Sequence, residues 1–126
     1  MIRGVVNAIR EAIVELTVIG AAGRSRRVAF VLDTGFGGGI TLPSSIAAEL
    51  ELRPQGVAVA TLGDGSETEY DFCEAAVLWD GLERPVVVEY AETFPLLGMA
   101  LLEGHLLQIE VARSGGVSIT PLSLRS

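Results

Sequence analysis

The side chains able to do chemistry here are few, and most of them are carboxylates. Of four aspartates, Asp33, Asp64, Asp71 and Asp80, only Asp33 stands in an Asp33-Thr34-Gly35 tripeptide, directly after the apolar run Val28-Ala29-Phe30-Val31-Leu32. That pattern puts an acid on a tight loop, with a hydroxyl beside it to hydrogen-bond and a glycine whose missing side chain lets a substrate or a second loop approach. Taken alone, the tripeptide also fits an ordinary turn after a strand, where Asp and Gly are common.

Scarcity removes the other chemistries. All 9 basic residues are arginine, so lysine Schiff bases, pyridoxal chemistry and the phosphate-binding Gly-Lys-Ser/Thr loop are excluded. One Cys73 and one His105 cannot form a disulfide or a Cys/His zinc site within one chain. No serine stands in a Gly-x-Ser-x-Gly setting that would make His105 part of a hydrolase triad. Cys73, among Phe72, Ala75 and Ala76, reads as a packed thiol, and His105, after Gly104, as a residue near a helix C-terminus. No metal or organic cofactor is expected.

The elements that must position Asp33 read as one all-β domain spanning 1–126, with one or two short helices. From Glu11 to Ile19 the chain alternates, with Ala12, Val14, Leu16 and Val18 on one face. Gly20-Ala21-Ala22-Gly23 turns it, and Arg26 to Leu32 returns as a strand that delivers Asp33 to a loop. Pro43 and the serines after it start a short helix over Ser44–Leu50. Strands Val57–Leu62 and Thr68–Trp79 join across Gly63-Asp64-Gly65-Ser66, a flexible hairpin tip. Asp80-Gly81 turns the chain into a strand over Pro85–Tyr90. Leu97–Leu102 reads as a helix capped near Gly104, and strands Leu106–Ala112 and Val117–Ile119 close the chain. Glu67, Glu69 and Glu74 read as a solvated face, with selection of basic peptides the sharper alternative.

The chain has 126 residues, 49% hydrophobic and 20% charged, which suits a compact domain and not a disordered one. Its net charge of -7 and scattered arginines argue against a nucleic-acid partner. Arg10, Glu11 and Glu15 interrupt any N-terminal apolar run that could pass for a signal peptide, and no segment reaches the length of a membrane span. A cytoplasmic protein with no membrane partner is expected.

The order of these features resembles the retropepsin-like aspartic proteases, most closely their small single-domain prokaryotic members. The resemblance rests on Asp33-Thr34-Gly35-Phe36-Gly37-Gly38, then Leu42-Pro43, the glycine-tipped hairpin, Trp79-Asp80-Gly81, and Leu97-Gly98-Met99 running to His105, and it covers about Ile13 to Val111. It implies a closed acid-protease barrel assembled as a homodimer. Asp33 would be the catalytic acid, with Thr34 bracing the two loops and Gly35 lining the substrate side. Phe36 and Gly37 would border the substrate, and Gly63, Asp64 and Gly65 would form a flap over it. Leu97 and Gly98 would pack beneath the catalytic loop. The chain departs from the viral and eukaryotic pattern at Phe36, where a small residue is usual, and at Met99, where arginine is common. The aspartate that pairs with that arginine is replaced by Gly37, so the dimer contact must be held differently.

The implied reaction is peptide-bond hydrolysis. One carboxylate takes a proton from water while a protonated carboxyl polarises the carbonyl, and two close carboxyls share one proton because both cannot readily ionise. One chain supplies one such acid, so the second must be Asp33 of a two-fold related copy. The competing expectation is a non-catalytic dimeric domain that uses the same cleft to bind a peptide or support an assembly.

Overall fold

The structure, a computed structural model, describes residues 1–123. It is built almost wholly of strands: β1 (Ile2–Val6), β2 (Ala12–Ile19), β3 (Ser25–Leu32), β4 (Ile40–Leu42), β5 (Gly56–Thr61), β6 (Glu67–Trp79), β7 (Leu82–Tyr90), β8 (Leu96–Leu97), β9 (His105–Ile109) and β10 (Gly116–Pro121). Two short helices interrupt them, α1 (Ser44–Glu49) and α2 (Met99–Leu102).

Alternation along β2 decides the first hairpin. Ala12, Val14, Leu16 and Val18 are buried while the residues between them are more exposed, and β3 pairs antiparallel from Ile13↔Val31 to Ile19↔Ser25. The strands form one sheet in the order β5-β6-β7-β4-β8-β3-β2-β1-β10-β9. A further pairing of β2 with β6, Val18↔Val77 and Ile19↔Ala76, closes six of them (β2, β3, β8, β4, β7 and β6) into a barrel. Phe30, Ile40, Leu42, Leu97 and Ile119 are fully buried within the apolar cluster that fills it. β1, β10 and β9 continue the sheet outside the barrel, so β5 and β9 are its two free edges.

Four elements differ from the sequence reading. The expected helix over Leu97–Leu102 divides: Leu96–Leu97 is a strand, Gly98 is extended, and only Met99–Leu102 is helical. Leu97 is drawn into extended form because it pairs with Leu32 on one side and Ile40 on the other. The expected strand over Leu106–Ala112 ends at Ile109, because the chain reverses through a tight loop in which Ala112 N–H donates to the Glu110 carbonyl and Ser114 has a φ of 62°. β1 and β4 were not legible at all. Along β1 burial alternates, with Ile2, Gly4 and Val6 turned inward, but the sequence hides it because the middle inward residue is a glycine and the exposed Val5 is apolar. Gly4 lies so close to the Ile13 carbonyl that a Cβ there would collide with it.

Candidate active site

Asp33 leaves the end of β3 half-buried, followed by exposed Thr34 and Gly35. Its main-chain N–H donates to the Leu97 carbonyl at 3.0 Å, and its carbonyl accepts from Phe36 N–H at 3.1 Å, closing the loop. Its own Oδ1 accepts from Gly35 N–H at 2.9 Å, which fixes the carboxylate against the loop backbone. A carboxylate bonded in this way to its own loop is held in one orientation by the main chain.

The loop is stitched to the segment beneath it by main-chain bonds on both arms. Val31 N–H donates to the Pro95 carbonyl, Gly98 N–H to the Gly39 carbonyl, Met99 N–H to the Phe36 carbonyl and Ala100 N–H to the Gly38 carbonyl, all between 2.8 and 3.1 Å. Thr41 Oγ1 accepts from Leu96 N–H at 2.9 Å, the task of the one buried polar side chain in the described core. Gly98 is required by space: a Cβ there would strike the Gly38 carbonyl, and would lie 2.5 Å from Phe36 Cδ2. Thus Asp33, Thr34, Gly35, Phe36 and Gly37 come together with Leu97 and Gly98 in one loop and its support.

Gly63, Asp64 and Gly65 lie apart from this loop, at the tip joining β5 to β6. Leu62 N–H donates to the Ser66 carbonyl at 2.8 Å, Gly65 takes a φ of 84°, and a Cβ at Gly63 or Gly65 would meet nothing. The Ser66 hydroxyl and then its N–H donate to Asp64, which holds this exposed carboxyl below its usual range. Glu67, Glu69 and Glu74 are exposed on β6, Cys73 is buried and unpaired, and a carboxylate at position 80 meets the chain's first amino group at 2.7 Å.

Two other residues border the site without any motif to announce them. Glu89 on β7 reaches the loop at Gly38, where a methyl group would collide with its carboxylate. Burial alone pushes its pKa up. Arg84, also on β7, donates to the Leu101 carbonyl at 2.8 Å and to the Ala100 carbonyl at 3.3 Å, so a cation does support the helix after Leu97-Gly98, although Met99 stands where arginine is common. The same guanidinium lies 5.1 Å from the Trp79 ring centroid, and Trp79 Nε1–H donates to His105 Nε2 at 3.0 Å. Trp79 can only donate, so His105 accepts at Nε2 and its Nδ1–H donates to the Glu103 carbonyl at 2.9 Å. A cleft of about 480 Å³ joins Gly37 of the loop to Met99, Gly104 and His105 at the start of β9. Another cleft, about 530 Å³ and lined by residues such as Gly20, Arg53, Gln55 and Glu83, contains no residue of the loop.

A barrel closed in this order, with an Asp-Thr-Gly loop seated on a Leu-Gly segment, has the retropepsin-like fold. Among solved structures the chain is similar to a retropepsin-like aspartic protease from Rickettsia conorii, with a TM-score of 0.60 at 17% sequence identity over 97% of this chain and 91% of that one. No protein-family model matches the sequence, and no curated protein does. Among the described residues no helix is long and apolar enough to cross a membrane.

Proposed function

We propose that the protein is an aspartic endopeptidase that hydrolyses peptide bonds with water activated between the Asp33 carboxyls of a symmetric homodimer. The observation that carries this reading is the seating of Asp33: main-chain bonds from Asp33, Met99 and Ala100 lock the loop to the Leu97–Gly98 segment inside a retropepsin-like barrel. Thr34 and Gly35 are left exposed on the loop's outer side, where a second loop and a substrate would meet them. In the reaction one Asp33 takes the proton of the attacking water, the other protonates and polarises the carbonyl, and the proton passes on to the leaving nitrogen. No cofactor takes part.

The free edge of β9 supports a second copy of the chain as partner. Glu110 N–H donates to the Gly116 carbonyl and Leu122 N–H to the Gly104 carbonyl, so the even-numbered residues of β9 bond toward β10. Antiparallel alternation then turns the main-chain groups of His105, Leu107 and Ile109 outward. β9 carries no formal charge to blunt this edge, and Leu106 and Ile109 are exposed beside it. In this reading β9 pairs with its own copy about a two-fold axis, in place of the ion pair that Gly37 and Met99 remove.

The test is digestion of a peptide library across pH 3 to 8 by the wild type and by Asp33→Asn. Cleavage by the wild type and none by a folded, dimeric variant supports the proposal. Equal turnover by both overturns it, and no turnover by either favours a dimeric domain that only binds peptide.

A further inference from the structure

The middle residue of Gly37-Gly38-Gly39 is glycine for a reason outside its own loop. At the point where a Gly38 Cβ would sit, the Glu89 carboxylate arrives from β7, and Phe36 Cζ and Cε1 lie 2.6 and 2.8 Å from that point. A carboxylate and the edge of an aromatic ring therefore converge where the loop has given up a side chain, five residues after Asp33. Gly37 beside them is open, since a Cβ there would meet nothing.

Strand register says what else shares this face. Glu89 is opposite Phe72 in the β6–β7 pair, and Phe72 is opposite Gly56 in the β5–β6 pair. Directly paired residues project to the same side, and side chains alternate along a strand. Glu89 therefore lies on the face that carries Phe72, Tyr70 and Ala58, all half-buried, and not on the exposed face of Val57, Val59, Glu69 and Asp71. One surface thus runs from the Asp33 loop past Glu89 to the underside of the glycine-tipped hairpin. An extended peptide held between hairpin and loop would lie along it.

On that surface Glu89 is an uncompensated charge. It is half-buried, and the ion pairs formed among the described residues, by the chain's first amino group and by Arg24, Arg26 and Arg27, all lie elsewhere. A desolvated carboxylate without a cation costs stability that an arriving cation returns. Such a cation would meet the carboxylate itself, which a planar guanidinium can grip through two N–H donors and an ammonium only as a point charge.

We propose that Glu89 selects a basic side chain, arginine before lysine, at one position of the bound peptide. The place of this carboxylate in a substrate cleft rests on the endopeptidase reading above; its charge selectivity is measured separately. The experiment uses full-length chain carrying Asp33→Asn, which cannot turn peptide over, and the double variant that adds Glu89→Gln. Binding of decapeptides bearing arginine, lysine, norleucine or glutamate at each position in turn is followed by calorimetry. The account expects the arginine peptide to bind on the order of tenfold or more tighter than its norleucine counterpart at one position, and that ratio to fall toward one with Glu89→Gln. A ratio near one in the first protein, or an undiminished ratio in the second, overturns the assignment of Glu89. Charge-selective binding by a wild type that cleaves nothing would sink the endopeptidase reading and leave this one standing.

Discussion

The main-chain N–H of Asp33 donates to the carbonyl of Leu97 at 3.0 Å, so the candidate catalytic acid hangs from a strand 64 positions away in the chain. The next residue, Gly98, is the narrowest point of the support. Gly98→Ala would push a methyl group into the Gly38 carbonyl and the Phe36 ring, and overpacking of that kind costs about 1–3 kcal/mol. Urea unfolding should show the loss, with peptide cleavage falling further than stability because the same methyl displaces the loop.

The two faces of β9 give a proline test of the dimer. Ile109→Pro removes an outward N–H that bonds nothing among the described residues and should leave a folded monomer, since edge strands tolerate proline on their free side. Gln108→Pro removes an N–H directed at β10 and should destabilise the fold itself. Equilibrium sedimentation and circular dichroism of the two variants check the pair.

Glu89 makes stability depend on pH with a definite sign. Burial raises its pKa in the folded state above the ordinary 4.5, so folding favours the protonated acid. The stabilisation is complete below the ordinary value and is lost as pH rises through the raised one. Glu89→Gln should therefore unfold at higher urea concentration than the wild type at pH 7, with the gap closing near pH 4.

Cys73 should be inert. Burial raises its pKa, against a smaller opposite effect of the Tyr90 hydroxyl, which donates to Sγ at 3.6 Å. The thiolate is the reactive form. A thiol reagent at pH 8 should label the native protein only at the rate of unfolding, and label it at once in denaturant.

Much of this architecture is legible in the residues themselves. The alternation of Ala12, Val14, Leu16 and Val18, the turn glycines and the order of Asp33-Thr34-Gly35 and Leu97-Gly98 place the first hairpin, the loop and its support. β4 and β8 escape such reading because three and two residues hold no period; their extended form comes from neighbours on both sides, as at Leu97 between Leu32 and Ile40. Arg84 escapes because its partners are the carbonyls of Ala100 and Leu101, which no side-chain pattern records. Glu89 left one trace, an acid in the otherwise apolar run from Val86 to Tyr90, but its meaning depends on a side chain that Gly38 does not have.

The claim that each chain carries half of a catalytic site is tested most directly by mixing. Wild type and Asp33→Asn are combined in equal amounts at constant total protein, allowed to exchange subunits, and assayed for peptide cleavage. If both Asp33 carboxyls are needed, only pure wild-type dimers work, and activity falls to about a quarter of the undiluted value. A fall to only about one half, with each chain working alone, or to about three quarters, with one Asp33 sufficing in a shared cleft, would contradict the two-carboxyl site.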